Sequence, residues 1–551
     1  QPPMKDSAPP TTAPAARLFG ELPHAAALQW PDATAVTFEG AHLTFAEIDA
    51  AVDRAARALL ARGVGKGDCV GLWITNRPEF IVAYYAVEKV GAIAVPFNTR
   101  YRQDDLAFVL RHAECRMMIT VDRSGPIEYE RILRAVVPEF EGDRFEGSAQ
   151  FPHLKDIVVV SSHDTGGARS WSRFLAEGER VAPEALAQAA ARVQPDDIAL
   201  IVFTSGTTGN PKGVMHDHSC LRNVRERTAQ WPIGAGDTVL NFLPMFHLYG
   251  LSEMVLACMV TGARQVVMDA FDPDEAVRLI AQERVNGLHG FETHYADLMR
   301  SCDRLGLDVS SLRFGTLPAG MQNSNAVAHE VQDRLCPTVS GLGMSETWAW
   351  VCICTLDDTR AQRCETSGRP MAGVEIRIVD PETGAAVPTG VPGEILYRGY
   401  TVMRGYFRDP EATARTIDAE GWLHSGDQGL VRADGFVQFL GRYKEMLKVG
   451  GENVSPAAVE QELQKLVPAI EQVAVVGLAD ARLAEVPVAY VVPRAGMTCT
   501  VDEVLERCKG RIASFKIPRH VVVVDSLPMT ASGKVQRVLL QARARKELGG
   551  H

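Results

Sequence analysis

The chain has 551 residues, 46% hydrophobic and 23% charged, which supplies ample apolar material for folded cores and excludes disorder throughout. That length exceeds what one core usually serves, so more than one domain is expected. With 57 basic side chains against 68 acidic ones, the formal net charge of −11 gives nucleic acid and anionic lipid no overall attraction, and nucleic acid is excluded as the main partner. Eleven cysteines, an odd number scattered from Cys69 to Cys508, read as reduced thiols and not as a disulfide framework. The close pair Cys352 and Cys354 would face opposite sides of a strand and lacks a zinc-site spacing.

Residues 1–16 are rich in Pro, Thr and Ala without an apolar signal-peptide core, which predicts a disordered start to a cytoplasmic protein; Met4 is the candidate natural start, with 1–3 an added remnant. No apolar run reaches the roughly 18 residues of a membrane span. From Leu43 to Val64 apolar residues recur at helical spacing, and Gly63, Gly65 and Gly67 then punctuate the chain before a strand at Val70–Ile74. A helix over Glu79–Val90 and a strand ending at Pro96 follow, then a further helix and a strand at Met117–Thr120. The alternation continues through strands at Ile157–Val160, Ile198–Phe203, Gln265–Met268 and Phe314–Leu317, and predicts an α/β region built on parallel sheets. Beyond about residue 370 the strands Val374–Val379, Gly393–Arg398 and Gly435–Leu440 come closely spaced, as in a small antiparallel or barrel-like unit. From about Lys444 a helix at Pro456–Leu466, strands at Val473–Val476, Val488–Val492 and Val521–Val524, and a helix at Val501–Arg511 predict a compact α+β domain.

The most informative segment is TSGTTGNPKG, Thr204–Gly213, directly after a buried strand. Three glycines let the backbone approach an anion closely, four hydroxyls offer donors, and Lys212 supplies charge, a combination suited to a polyphosphate. Its spacing is not that of a Walker loop. Five further segments follow in order: LPMFHLYG at Leu243–Gly250, GLGMSET at Gly341–Thr347, HSGDQG at His424–Gly429, GRYKEMLKVGGENVSP at Gly441–Pro456 and PMTASGKVQR at Pro528–Arg537.

Together these motifs resemble the adenylate-forming superfamily, in its acyl-CoA synthetase (AMP-dependent synthetase and ligase) class, over nearly the whole chain. The resemblance implies a two-step ligase using ATP, Mg²⁺ and coenzyme A. A carboxylate attacks the α-phosphorus of ATP to give acyl-AMP and pyrophosphate, and a thiol then displaces AMP. It implies an N-terminal adenylate-forming domain over 17–443, a hinge at Lys444 and Glu445, and a mobile C-terminal domain over 446–551. Thr204, Ser205, Gly206, Thr207, Thr208, Gly209 and Lys212 would cradle the β- and γ-phosphates, with Thr204 among the catalytic residues. Ala319, Gly320, Gly341, Leu342, Gly343, Met344 and Ser345 would hold the nucleotide, Asp427 and Arg442 its ribose. Glu346 would stand near Mg²⁺. Lys534 would reach the carboxylate and α-phosphate during adenylation, and rotation about the hinge would replace it with Lys448, Gly450 and Gly451 beside the pantetheine arm. His247 would gate the thiol channel. His247, Leu248, Gly250, Phe291 and Trp348 would line the acyl pocket, with Trp350 beyond, and Glu292 and His294 hint at one polar feature on the substrate.

The pattern departs from the family at Leu342, where an aromatic ring usually covers adenine; at the loop Leu317–Met321; and at Glu292, where Pro is frequent. Aromatic stacking on a base is worth about 1–3 kcal/mol, so weaker ATP affinity is one expectation, and an enzyme acting mainly on acyl-adenylate made elsewhere is a second reading. The apolar lining favours an aryl, polycyclic or fatty acid over an α-amino acid. The motifs are also compatible with an acyl-AMP ligase loading a carrier protein and, from another class, with a non-catalytic nucleotide-binding protein. A homodimer stays open.

Overall fold

A computed structural model describes residues 16–549 except 142–144, 165, 205–210, 321, 450–451, 481, 510, 513 and 531–533. Thr44 caps the helix Phe45–Ala61 by accepting from the Glu47 N–H, and Glu47 returns the bond to Thr44, so the helix starts two residues inside the expected Leu43. Pro78 opens the next helix, Pro78–Lys89, buried from Phe80 to Glu88 because it is apolar on every side. Both pack in the largest core with the strands of the first sheet.

That sheet has seven strands. Asp156–Val160, Met117–Val121, Cys69–Trp73, Ile93–Pro96 and Ile198–Thr204 run parallel. The expected all-parallel pattern ends there: Lys212–Asp217 returns antiparallel beside Ile198–Thr204, and Gly405–Tyr406 adds a short antiparallel edge. The physical reason is that residues 205–211 are too short a connection for a crossover. A second seven-stranded sheet orders Thr338–Val339, Phe314–Thr316, Gly287–His289, Thr238–Asn241, Arg264–Val267, Thr34–Phe38 and Ala41–Thr44, antiparallel only at its last pair. The strands Thr34–Phe38, Thr238–Asn241 and Gly287–His289 are additions to those expected from the sequence.

The middle unit takes the antiparallel form. Val374–Val379, Gly393–Gly399, Leu423–Val431 and Val437–Arg442 form an open four-stranded meander, too few strands to close as a barrel around side chains. Beyond it, Ile470–Asp480 and Ala484–Pro493 pair over ten residues; His520–Val523 runs parallel to the latter strand, and helices Pro456–Leu466, Val501–Cys508 and Arg537–Leu548 pack on this sheet. Most of the expected N-terminal disorder lies outside the described residues, but Ala16 departs from it: it is buried, and its carbonyl accepts from Arg225. The cysteines are free, and Cys352 and Cys354 join separate cores. Among the described residues no helix is long and apolar enough to cross a membrane.

Candidate active site

The motifs meet in one cleft of about 2620 Å³ whose lining includes Thr204, Lys212, Glu346, Asp427, Arg442 and Lys534. Thr204 ends its strand and Lys212 begins the return strand, and the two are cross-strand partners. The loop they flank, with Ser205, Gly206, Thr207, Thr208 and Gly209, lies outside the described residues. The Lys212 ammonium sits 5.0 Å over the Tyr406 ring, and the Tyr406 hydroxyl donates to Glu346 Oε1 at 2.8 Å. Burial, reinforced by the Glu346 charge, pushes the Tyr406 phenol well up, so it remains a donor. Tyr406 thus ties the lysine to the carboxylate, a link not expected from the sequence.

Glu346 is also fixed through its backbone. Its carbonyl accepts from the Met403 N–H, and the preceding carbonyl, of Ser345, bonds to His216 Nε2 at 2.6 Å. No group of three or more His, Cys, Asp or Glu placed to hold a metal ion occurs among the described residues. One carboxylate in a cleft that also holds Lys212 suits Mg²⁺, which keeps waters and takes substrate phosphate oxygens.

The stretch expected to hold the nucleotide is shaped by Trp350. A Cβ on Gly341 would stand 2.1 Å from its ring, and one on Gly343 would stand 1.5 Å from the Ala349 carbonyl oxygen, so both glycines are demanded by close packing. Leu342, half-buried on the strand between them, pairs with Cys352. Met344, Ser345 and Ala319 line the cleft, and the Ala319 N–H donates to Ser340 Oγ. Gly320, with φ of +122°, lies against Ser367.

Asp427 and Arg442 face each other on adjacent antiparallel strands, with Arg442 Nε 3.4 Å from Asp427 Oδ1. Lys534 lies with them: its ammonium is 5.6 Å from the Phe291 ring centroid and feels the charges of Arg442, Glu292, Asp427 and Glu445. The residue keeps surface open to the cleft, yet the protein mass around the ammonium, with Arg442, pulls its pKa below the ordinary lysine value while the three carboxylates oppose the fall. Lys444 and Glu445 form a single turn with Tyr443, and Glu445 reaches the cleft. Lys448 lies in the strand Leu447–Val449; Gly450 and Gly451 lie outside the described residues.

His247 caps the turn Leu248–Gly250, its Nδ1 accepting from the Tyr249 N–H at 3.3 Å. Burial, with a smaller push from Lys534, lowers its pKa to about 4, so the ring is neutral at physiological pH. Leu248 and Phe291 line the cleft.

Two acyl-pocket expectations are corrected. Gly250 does not line the cleft: a Cβ there would stand 2.2 Å from the Pro244 carbonyl oxygen, so the glycine serves chain packing. Trp348 touches the cleft, but its indole is buried in the largest core, stacked on Phe19 at 5.6 Å and donating to Ser252 Oγ. Its φ of +72° turns that ring away from the face taken by Trp350. The aromatic wall is instead Trp350, Tyr249 and Phe291, in successive contact at 5.6 and 5.2 Å.

Behind that wall the chain from Leu251 to Leu256 widens into a π-helix. Arg227 and Glu253, both fully buried, pair at 3.2 Å. Arg227 also donates to Ser252 Oγ, and the neighbouring Asn223 amide donates to the Trp350 carbonyl.

Comparison with known proteins gives the family. Residues 23–407 match the AMP-binding enzyme family and residues 459–534 the AMP-binding enzyme C-terminal domain. The chain is 35% identical to a Rhodococcus jostii (strain RHA1) 3-[(3aS,4S,7aS)-7a-methyl-1,5-dioxo-octahydro-1H-inden-4-yl]propanoyl:CoA ligase, covering 97% of this chain and 98% of the relative. It is 33% identical to the medium-chain fatty-acid–CoA ligase of Escherichia coli (strain K12), covering 94% and 89%. The anthranilate CoA ligase AuaEII, solved with anthranoyl-AMP, superposes with a TM-score of 0.81 at 25% identity, covering 96% of this chain and 97% of that one. Matching these families and ligases over nearly its whole length, this protein is a member of the AMP-binding enzyme family, of the AMP-forming acyl-CoA ligase class.

Proposed function

We propose that this AMP-forming ligase makes the CoA thioester of an apolar acid of medium chain length or fused-ring skeleton. The observation that carries the reading is Lys534 beside Asp427, Arg442 and Phe291, at the junction of the nucleotide side and the aromatic wall. In the first step a carboxylate oxygen bonds to the α-phosphorus, the bond to the β-phosphate bridge breaks, and pyrophosphate leaves. Lys534 lies where negative charge gathers in that step, and Thr204 and Lys212 hold the departing phosphates, so catalysis rests on placed charge and not on a protein nucleophile. Glu346 would hold Mg²⁺, which would supply charge neutralisation on the phosphates.

In the second step the thiol sulfur bonds to the acyl carbon and AMP leaves. Rotation about Lys444 and Glu445 withdraws Lys534 and brings the Lys448–Gly451 segment to the thiol channel beside His247. The rings of Trp350, Tyr249 and Phe291 favour an apolar acyl group, as do the relatives' substrates, a medium-chain fatty acid and a bicyclic propanoate. The test is thioester identification by mass after mixing the protein with a panel of acids, ATP, Mg²⁺ and CoA, and again with acyl-AMP replacing acid and ATP. Apolar acids give acyl-CoA if the reading holds; thioester from acyl-AMP alone would refute the first step.

A further inference from the structure

The acyl side of the cleft holds one polar group in an aromatic box. His294 is 5% exposed, and its ring stands 5.2 Å from Phe242, 4.9 Å from Phe271 and 6.0 Å from Phe291. All four line the cleft. Gly290 makes room for the imidazole: a Cβ there would stand 3.2 Å from the His294 Cβ and 3.4 Å from its Nδ1. The nearby carboxylate of Asp269 is already engaged by the Ser124 hydroxyl and by Arg77.

The hydrogen-bond network assigns the tautomer. Nδ1 accepts from the Phe291 N–H at 3.0 Å, as part of the cap of helix Glu292–Leu305. Burial lowers the imidazole to about 4, so the ring is neutral at physiological pH. A neutral imidazole carries one proton, and with Nδ1 accepting, that proton is on Nε2. Nε2 has no hydrogen-bond partner among the described residues. The rings give the donor a fixed direction and no protein acceptor. Two ring steps, 5.6 Å from the Lys534 ammonium to Phe291 and 6.0 Å from Phe291 to His294, set its reach from the reacting carboxylate.

We propose that His294 is a specificity-determining residue whose Nε2–H donates to an acceptor oxygen, a ketone in the first instance, borne on an otherwise apolar acyl group. The inference rests on the ligase reading above and narrows its substrate class to oxo-substituted acids. An acyl group lacking the oxygen leaves the donor facing hydrocarbon and forfeits the hydrogen bond.

The test compares oxo-octanoic acids, with the ketone at successive carbons, against octanoic acid, and 3-(4-oxocyclohexyl)propanoic acid against 3-cyclohexylpropanoic acid. kcat/KM for thioester formation is read with saturating ATP, Mg²⁺ and CoA. Wild-type protein is expected to favour at least one oxo acid by about 10- to 100-fold over its methylene partner. His294→Phe keeps a flat ring and is expected to bring that ratio near one. His294→Gln, which can cap with its carbonyl and donate with its amide, is expected to retain the preference. Equal use of oxo and methylene acids by the wild type overturns the proposal and leaves the ligase reading intact, and so does a preference that survives in His294→Phe. No thioester from any acid in the wider panel overturns the ligase reading, and this proposal with it.

Discussion

Tyr406→Phe removes one hydroxyl and keeps the ring. In the protein that hydroxyl bonds to Glu346 at 2.8 Å, while the face of the same ring lies under the Lys212 ammonium. The aromatic support of the lysine therefore survives, and only the tether of the carboxylate is cut. A hydrogen bond to a charged group contributes about 1.5–3 kcal/mol, and each 1.4 kcal/mol is about tenfold in rate, so pyrophosphate release is expected to fall about 10- to 100-fold. The assay is pyrophosphate release at saturating acid over a series of Mg²⁺ concentrations. The loss should shrink as Mg²⁺ rises, because a carboxylate freed from its tether is a weaker ligand that mass action can still fill. Thioester formation from supplied acyl-AMP, which forms no pyrophosphate, should be nearly unchanged. An equal loss in both half-reactions, or no loss at any Mg²⁺ concentration, would refute the reasoning.

Three further outcomes are expected. The alkaline limb of the adenylation rate belongs to Lys534, which must be protonated to act; the rate is lost as pH rises through a pKa already below the ordinary lysine value, and Glu292→Gln, removing an anion that favours the ammonium, should move the limb to lower pH in a pH–rate profile. A limb that stays in place would detach Glu292 from Lys534. Gly341→Ala forces a methyl onto the Trp350 ring, so it should lower thermal stability by about 1–3 kcal/mol and raise KM for ATP, and an unchanged KM would disconnect that ring from the nucleotide side. Arg227→Met leaves Glu253, whose pKa burial raises to about 7, without its buried partner; urea melts should show a loss of about 3–5 kcal/mol that Arg227→Met with Glu253→Leu largely restores.

The parts of the site legible in the sequence are those whose chemistry is carried by local motifs. Thr204 and Lys212 were legible as members of one glycine-rich segment suited to a polyphosphate, though not as partners across two strands, and Asp427, Arg442 and Lys534 each stand in a short segment of biased composition. Tyr406 was not legible: it lies on a two-residue edge strand, far along the chain from the Glu346 it serves, with no periodicity to announce it. Trp348 and Trp350 would share a face in an extended segment, but the left-handed backbone at Trp348 sends the two rings into different cores. Gly250 was placed in the acyl pocket through its motif, and the motif does not tell a glycine facing a ligand from one held against the Pro244 carbonyl. The α/β alternation revealed strands of both sheets, while Thr238–Asn241 and Gly287–His289 hold only one or two apolar residues between polar or glycine neighbours and so lack an apolar run to signal them.

Lys534→Ala assayed in the two half-reactions separately tests the central claim most directly. Pyrophosphate release from ATP and acid is expected to slow by about 10²- to 10³-fold, the scale of removing one preorganised stabilising donor, while thioester formation from acyl-AMP and CoA proceeds at close to the wild-type rate. Loss of both half-reactions to the same degree would contradict a lysine that serves adenylation and then withdraws.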